Sequence, residues 1–195
     1  MRHGKPQIDL EMIRSKRMSP NQLGQIIADY VSTDLDSTNL PSDAALSIAK
    51  DCSVSTCSDL LRARSSVAAL QIDAKNIIDP IYRESALPYL KLKFPKLSFF
   101  SWAILFRLAW FMGFSKNGES IKEAKSRAKI GAKKLEHLAN KNGSVLNVGH
   151  GIMNRLVVKE LKAKGWRATE CTGEKYWSYT VLENETLQAN SSSSQ

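Results

Sequence analysis

Short apolar runs alternate along this chain with helical hydrophobic spacings, and that alternation narrows the architectures open to it. Residues 53–57, 76–82 and 144–148 are brief and apolar, long enough for buried strands but not for helices. Helical spacing fills the intervals. Ser19-Pro20 is a capped helix start, with Leu23, Ile26, Ile27 and Tyr30 on one side to about residue 31. Ser42-Asp43 opens a short helix through Ala45, Leu46 and Ala49, and residues 60–70 follow the first strand as another. A long helix runs over 120–141, with Ile121, Ala124, Ala128, Leu135 and Leu138 apolar, and a last one over 151–164. Residues 166–171 and 176–182 are expected to be closing strands, and 5–18 a loop. Strands alternating with helices predict an α/β fold, a three-layer α/β/α sandwich with a mostly parallel central sheet. The 195 residues suit one domain, expected to span 1–188.

In open α/β sheets, ligands bind outside the carboxyl ends of the strands. Polar residues gather at these ends. Ser58 and Arg62 follow the strand at 53–57, Glu84 follows that at 76–82, and His150 follows that at 144–148, between Gly149 and Gly151. Met1-Arg2-His3-Gly4 adds a second arginine and a second imidazole. Together these residue types suit phosphoryl transfer. Arginine binds a phosphate dianion bidentately, better than lysine does. A neutral imidazole, His3 or His150, can attack phosphorus and hold the phosphoryl group covalently, while the other donates to its oxygens. A carboxyl group, Glu84 or alternatively Asp79, can protonate the leaving oxygen. Helix N-terminal N–H groups at Arg62 and Gly151 favour the same anion. With the oxygens neutralised by arginine and imidazole, the chemistry needs no metal.

The ordered set of Met1-Arg2-His3-Gly4, the run 58–66, Tyr82-Arg83-Glu84 and Val148-Gly149-His150-Gly151 resembles the histidine phosphatase superfamily. Gly118-Glu119-Ser120 followed by Arg127 is a further piece of that resemblance, heading the helix before the final strand. The resemblance implies a phosphoglycerate mutase-like fold and assigns roles. His3 would be the phosphorylated nucleophile, Arg2, Arg62 and His150 the phosphate pocket, and Glu84 the acid. It implies no cofactor and no metal. Lys5, Pro6 and Asp9 replace the acidic, Thr or Ser, and Asn positions of the mutase form, which favours a phosphatase branch. Members of the family have an apolar strand leading into Arg-His-Gly, so a start upstream of Met1 is expected.

Residues 97–114 form the most apolar stretch and approach the length of a membrane span. Arg107 near its centre would cost about 2.5–3.5 kcal/mol in a bilayer, and a span there would split the proposed site. A helical cap over the pocket is expected instead, within an insertion at about 86–118. Trp102 and Trp110 are expected to pack inside it. Arg107 would meet a substrate anion or form an internal salt bridge. The all-round apolar surface also keeps open a peripheral membrane contact or a wall for an amphiphilic substrate.

The net charge of +9 suits an anionic partner. Lys122, Lys125, Lys129, Lys133 and Lys134 make a solvated helix face, and without interleaved aromatics they give no nucleic-acid signature. His137 belongs to that face, and three scattered histidines make no metal motif. Cys52, Cys57 and Cys171 are odd in number and lack CxxC spacing, so reduced thiols and a cytoplasmic setting are expected. No secretory signal is visible. The Ser-rich end, 189–195, is expected to be disordered. The predicted protein is a metal-independent phosphomonoesterase whose substrate is a small molecule, a phosphoprotein or an amphiphilic phosphate. A non-catalytic phosphate-binding scaffold of the same fold is the alternative.

Overall fold

The computed structural model describes residues 1–8 and 12–184; Asp9 and the Ser-rich end lie outside these. Three parallel strands make the central sheet. β2 (Val54–Cys57) lies between β3 (Lys75–Ile78) and β5 (Val145–Val148). Side chains alternate across the pleat, so Leu146 and Val148 join Cys57 on one face while Val145 meets the other. The first face is covered by α2 (Asp43–Lys50) and α3 (Leu61–Ala69), through Ala49, Ala63 and Val67. The second is covered by α5 (Ile121–Asn142) and α6 (Gly151–Lys162), through Ala128, Ala132, Leu135, Met153 and Val157. Small residues on α5 let it lie close against α6 and Tyr82. This is the three-layer arrangement that the alternation predicts.

The helix starts follow from their caps. Ser19 opens α1 (Pro20–Ser32) and Ser120 opens α5, each in a reciprocal capping box with Gln22 or Glu123. Ser42 caps α2. Three expectations need correction. The strand expected over 76–82 ends at Ile78, because the Asp79 carboxylate accepts the Ile81 N–H and Pro80 starts a 3-10 turn over Pro80–Tyr82. The closing strands are β6 (Arg167–Cys171) and β7 (Thr180–Glu183), an antiparallel ribbon apart from the parallel sheet, with Tyr176 in the turn between them. The loop expected over 5–18 contains β1 (Arg17–Met18), which pairs antiparallel with β4 (Leu97–Ser98).

α4 (Phe99–Phe111) follows β4 and packs with α1 in a third apolar cluster of Met18, Leu23, Phe99, Trp102 and Phe106. Trp102 and Trp110 are both buried, and their indole N–H groups donate to Met18 O (2.8 Å) and Glu119 O (2.6 Å). Among the described residues no helix is long and apolar enough to cross a membrane.

The N-terminal residues lie along β5. Gly149 N–H donates to Met1 O and His3 N–H to Gly149 O, both at 3.0 Å, while Arg2 N–H donates to Ser178 O at 2.8 Å on the other side. The Met1 ammonium donates to Asn147 O at 2.7 Å. Arg2 and His3 therefore sit level with the carboxyl ends of the strands.

α5 carries much of the second layer, so its cap matters to the whole. Replacing Ser120→Ala removes the N–H acceptor and should destabilise the protein by about 1 kcal/mol. Urea unfolding should show a lower midpoint with an unchanged slope.

Candidate active site

His3 is almost fully buried, and its Nδ1 lies 2.6 Å from the carbonyl oxygen of Gly4. A carbonyl only accepts, so Nδ1 carries the proton and Nε2 the lone pair. Burial, then the nearby Arg62 guanidinium, push the His3 pKa down to about 3 against the opposing pull of the Gly4 carbonyl. The ring is neutral at ordinary pH. Gly4 is required by close approach: a Cβ there would lie 2.5 Å from Leu35 and Trp177 side-chain atoms. Its N–H donates to Ser66 Oγ (2.9 Å), which donates to Arg62 O (2.5 Å). One turn of α3 thus fixes the backbone beside His3 and the arginine that faces it.

Arg62 is 1% exposed and His150 0%. The Arg62 guanidinium donates to Tyr30 O (2.9 Å) and Val31 O (3.3 Å), and lies 4.7 Å from the centre of the Tyr30 ring. Its other terminal nitrogen is 3.5 Å from His150 Nδ1. Guanidinium only donates, so Nδ1 accepts and the His150 Nε2–H donates to Ser58 Oγ at 2.7 Å. His150 is held well below the usual imidazole range by burial, then by the neighbouring His3 and the arginines. The two imidazole centroids are 4.9 Å apart. With both nitrogens engaged, His150 in this arrangement orients Arg62 rather than presenting a spare N–H to an anion.

Arg2 donates to Glu174 O at 2.5 Å, and its guanidinium stacks 4.5 Å from the Tyr176 ring centre. Tyr176 also faces His3, at 5.8 Å between centroids. Burial, then its contact with Tyr176, push the Tyr30 hydroxyl pKa up, so this phenol stays protonated in the wall. The turn bearing Tyr176 is strained, with Trp177 at φ 63°, a left-handed conformation costly for a bulky residue. Sequence reasoning missed Tyr30 and Tyr176 as site residues. Tyr30 reads as one more apolar position on α1, and nothing in the order of residues announces the turn at Trp177.

Glu84 also departs from expectation in its surroundings. Its carboxylate accepts N–H groups from Ser85 (3.0 Å), Ile152 (3.2 Å) and Met153 (3.1 Å), so it occupies the N-terminus of α6. The helix end expected to hold phosphate through Gly151 is shared with this carboxylate, and an added Cβ on Gly151 would lie 3.7 Å from Glu84 and 3.9 Å from Arg2. Asp79, the alternative acid, is engaged by Lys134 (2.5 Å) and the Ile81 N–H. Arg127 pairs with Glu119 and donates to Ile81 O and Arg83 O, both 2.7 Å, bracing the segment that ends in Glu84. Among the described residues Arg107 forms no ion pair; it donates to Ser85 O at 3.4 Å and lies 4.9 Å from the Trp110 ring centre. His137 is exposed on α5, and among the described residues no cluster of His, Cys, Asp or Glu could hold a metal.

Arg2 Nε, Arg62 Nε, one terminal nitrogen of Arg107 and Ser85 Oγ are buried without any partner. Glu84 interacts electrostatically with Arg62 and Arg107. Three guanidiniums, one carboxylate and two neutral imidazoles leave two positive charges, the complement of a phosphomonoester dianion. A cavity of about 560 Å³ opens behind Arg2 and Gly151, between β5 and the β6–β7 ribbon, lined by such side chains as Leu146, Val157, Leu161 and Leu182. Neither imidazole lines it.

No protein-family model and no curated protein sequence matches the chain. Solved structures do. A mycobacterial hydrolase superposes with a TM-score of 0.55 at 17% identity, covering 93% of this chain and 94% of its own. A candidate alpha-ribazole-5'-P phosphatase from Escherichia coli gives 0.55 at 15% identity, covering 94% and 93%. Mycobacterial glucosyl-3-phosphoglycerate phosphatase gives 0.50 at 20% identity, covering 84% and 76%. With its layers and strand order, the chain has the phosphoglycerate mutase-like fold of these structures.

Proposed function

We propose that the chain is a phosphomonoester hydrolase working through a phosphohistidine. The observation that carries this reading is the set of buried, unpartnered guanidinium nitrogens, those of Arg2 and Arg62 beside His3 and that of Arg107 near Glu84. Buried donors without acceptors are costly, and a tetrahedral dianion would satisfy them together. Phosphatase names among the structural neighbours support the reaction class.

His3 Nε2 attacks the phosphorus, and the bond to the ester oxygen breaks. Glu84, having taken up a proton as the substrate dianion binds beside it, gives that proton to the ester oxygen. The Nδ1–H to Gly4 carbonyl bond steadies the positive charge that develops on the ring. Arg2 and Arg62 hold the equatorial oxygens, with Arg107 reaching in from the cap. In the second step Glu84 takes a proton from water as the water oxygen attacks phosphorus; the N–P bond breaks and inorganic phosphate leaves. No metal is needed where guanidinium groups supply the charge.

The engagement of Glu84 by three backbone N–H groups favours a second reading, a phosphate-binding protein without turnover. Acid–base quenching separates the two. After incubation with a radiolabelled phosphomonoester, the enzyme should retain an acid-labile, alkali-stable phosphoryl group that His3→Ala lacks. A binder should take up inorganic phosphate but retain no label. His3→Ala should also lower aryl phosphate hydrolysis by about 10³-fold or more; undiminished activity would refute the assignment of His3.

The low pKa of His3 has two pH consequences. Its nucleophilic form persists down to about pH 3, so kcat/KM should show no acid-side fall with a pKa near 6.5. The unfolded chain, by contrast, protonates this imidazole near pH 6.5. The unfolded state then binds more protons, so the His3 contribution to stability is complete above pH 6.5 and is lost as pH falls towards 3. Parallel urea titrations should show His3→Asn losing part of that acid sensitivity.

A further inference from the structure

α4 is apolar on the side that packs and on the side that does not. Phe99, Trp102, Phe106 and Trp110 are buried. On the opposite face Ile104 (61%), Leu105 (48%), Leu108 (56%), Phe111 (56%) and Met112 (83%) are exposed to solvent. Their spacing sets them in one stripe. Scattered exposed hydrophobics are ordinary, whereas a continuous apolar face marks a contact surface.

The segment leading into this helix has a matching character. Lys91-Leu92-Lys93-Phe94-Pro95-Lys96 is exposed throughout, with Leu92 and Phe94 among the large hydrophobics open to water. The ammonium group of Lys96 lies 5.9 Å from the Phe94 ring centre, Arg17 donates to Lys96 O, and the Arg14 guanidinium lies 5.5 Å from the Phe100 ring centre. Cations thus gather at the amino end of α4. From residue 85 to 118 the sequence contains no Asp or Glu.

We infer that the outer face of α4 and the 91–96 segment dock on the surface of an anionic phospholipid bilayer. A helix of 13 residues is too short to span, which takes about 20. An apolar stripe flanked by lysines instead lies in the interface, with side chains among the acyl chains and ammonium groups at the phosphates. The charge pattern argues against a second copy of this chain, since the patch offers no carboxylate to meet the partner's lysines. The docking surface does not depend on the phosphoryl chemistry; the same helix carries Arg107, whose guanidinium reaches Ser85 beside Glu84.

Flotation of the full chain with vesicles tests the inference. The protein should float with vesicles of phosphatidylcholine mixed with phosphatidylglycerol, weakly with phosphatidylcholine alone, and less as salt is raised. Changing Lys91, Lys93 and Lys96 to Glu should lower the affinity for mixed vesicles by about a hundredfold. The pair Ile104→Ser and Leu108→Ser should abolish flotation. Both sets lie on the exposed surface, and unchanged circular dichroism and melting would establish that the variants fold. No flotation of the parent protein, or equal flotation of the folded variants, would overturn the inference. So would a concentration-dependent dimer in sedimentation equilibrium that the Ile104→Ser, Leu108→Ser pair dissolves while vesicle binding stays absent.

Discussion

The site depends on buried positive charge that exceeds its one fixed carboxylate, Glu84. Arg62 lies almost wholly inside the protein, where an unpaired cation is expensive. Its fold contacts are two backbone carbonyls and a tyrosine face, and it repels a proton from each imidazole beside it. The arginine and the histidines are therefore coupled. Keeping His3 and His150 neutral limits the accumulated charge to that of the arginines, partly offset by Glu84. The same neutrality leaves His3 with a lone pair.

Strand register is what brings these groups together. Cys57 pairs with Val148 on one side and Ile78 on the other, so the three strands end at one level. Ser58 and Gly149 leave the sheet from adjacent positions, and Arg2 bridges to Gly149. One more residue along each path carries the imidazoles into contact. Two independent tethers, Gly4 to Ser66 and Ser58 to His150, then lock the turns to α3 and to each other. A slip of one residue in any strand would turn its side chains to the other face and scatter the site.

Much of this was legible in the sequence because it rests on local rules. Ser19, Ser42 and Ser120 mark helix starts by their own chemistry, and the strand at 144–148 is bounded by Gly143 and Gly149. The order of the arginine and histidine pieces singles out side chains that the fold brings next to one another. What stayed hidden depends on neighbours distant in the chain. β1 and β4 are two residues each, too short to show a period. Tyr176 reaches Arg2 through a left-handed Trp177 that packs against Gly4. The carboxylate of Glu84 turns to the N-terminus of α6, a contact across 68 positions that no spacing rule contains.

The protonation state of His3 is the most direct measure of the account. The chain has three histidines, so their ring nitrogens can be resolved by nitrogen-15 NMR. At pH 5 and in the absence of phosphate, His3 should be a neutral imidazole protonated at Nδ1, and added inorganic phosphate should shift its Nε2 resonance. A cationic His3 at that pH, or an Nε2 signal indifferent to saturating phosphate, would contradict a neutral nucleophile set in an arginine-lined anion pocket.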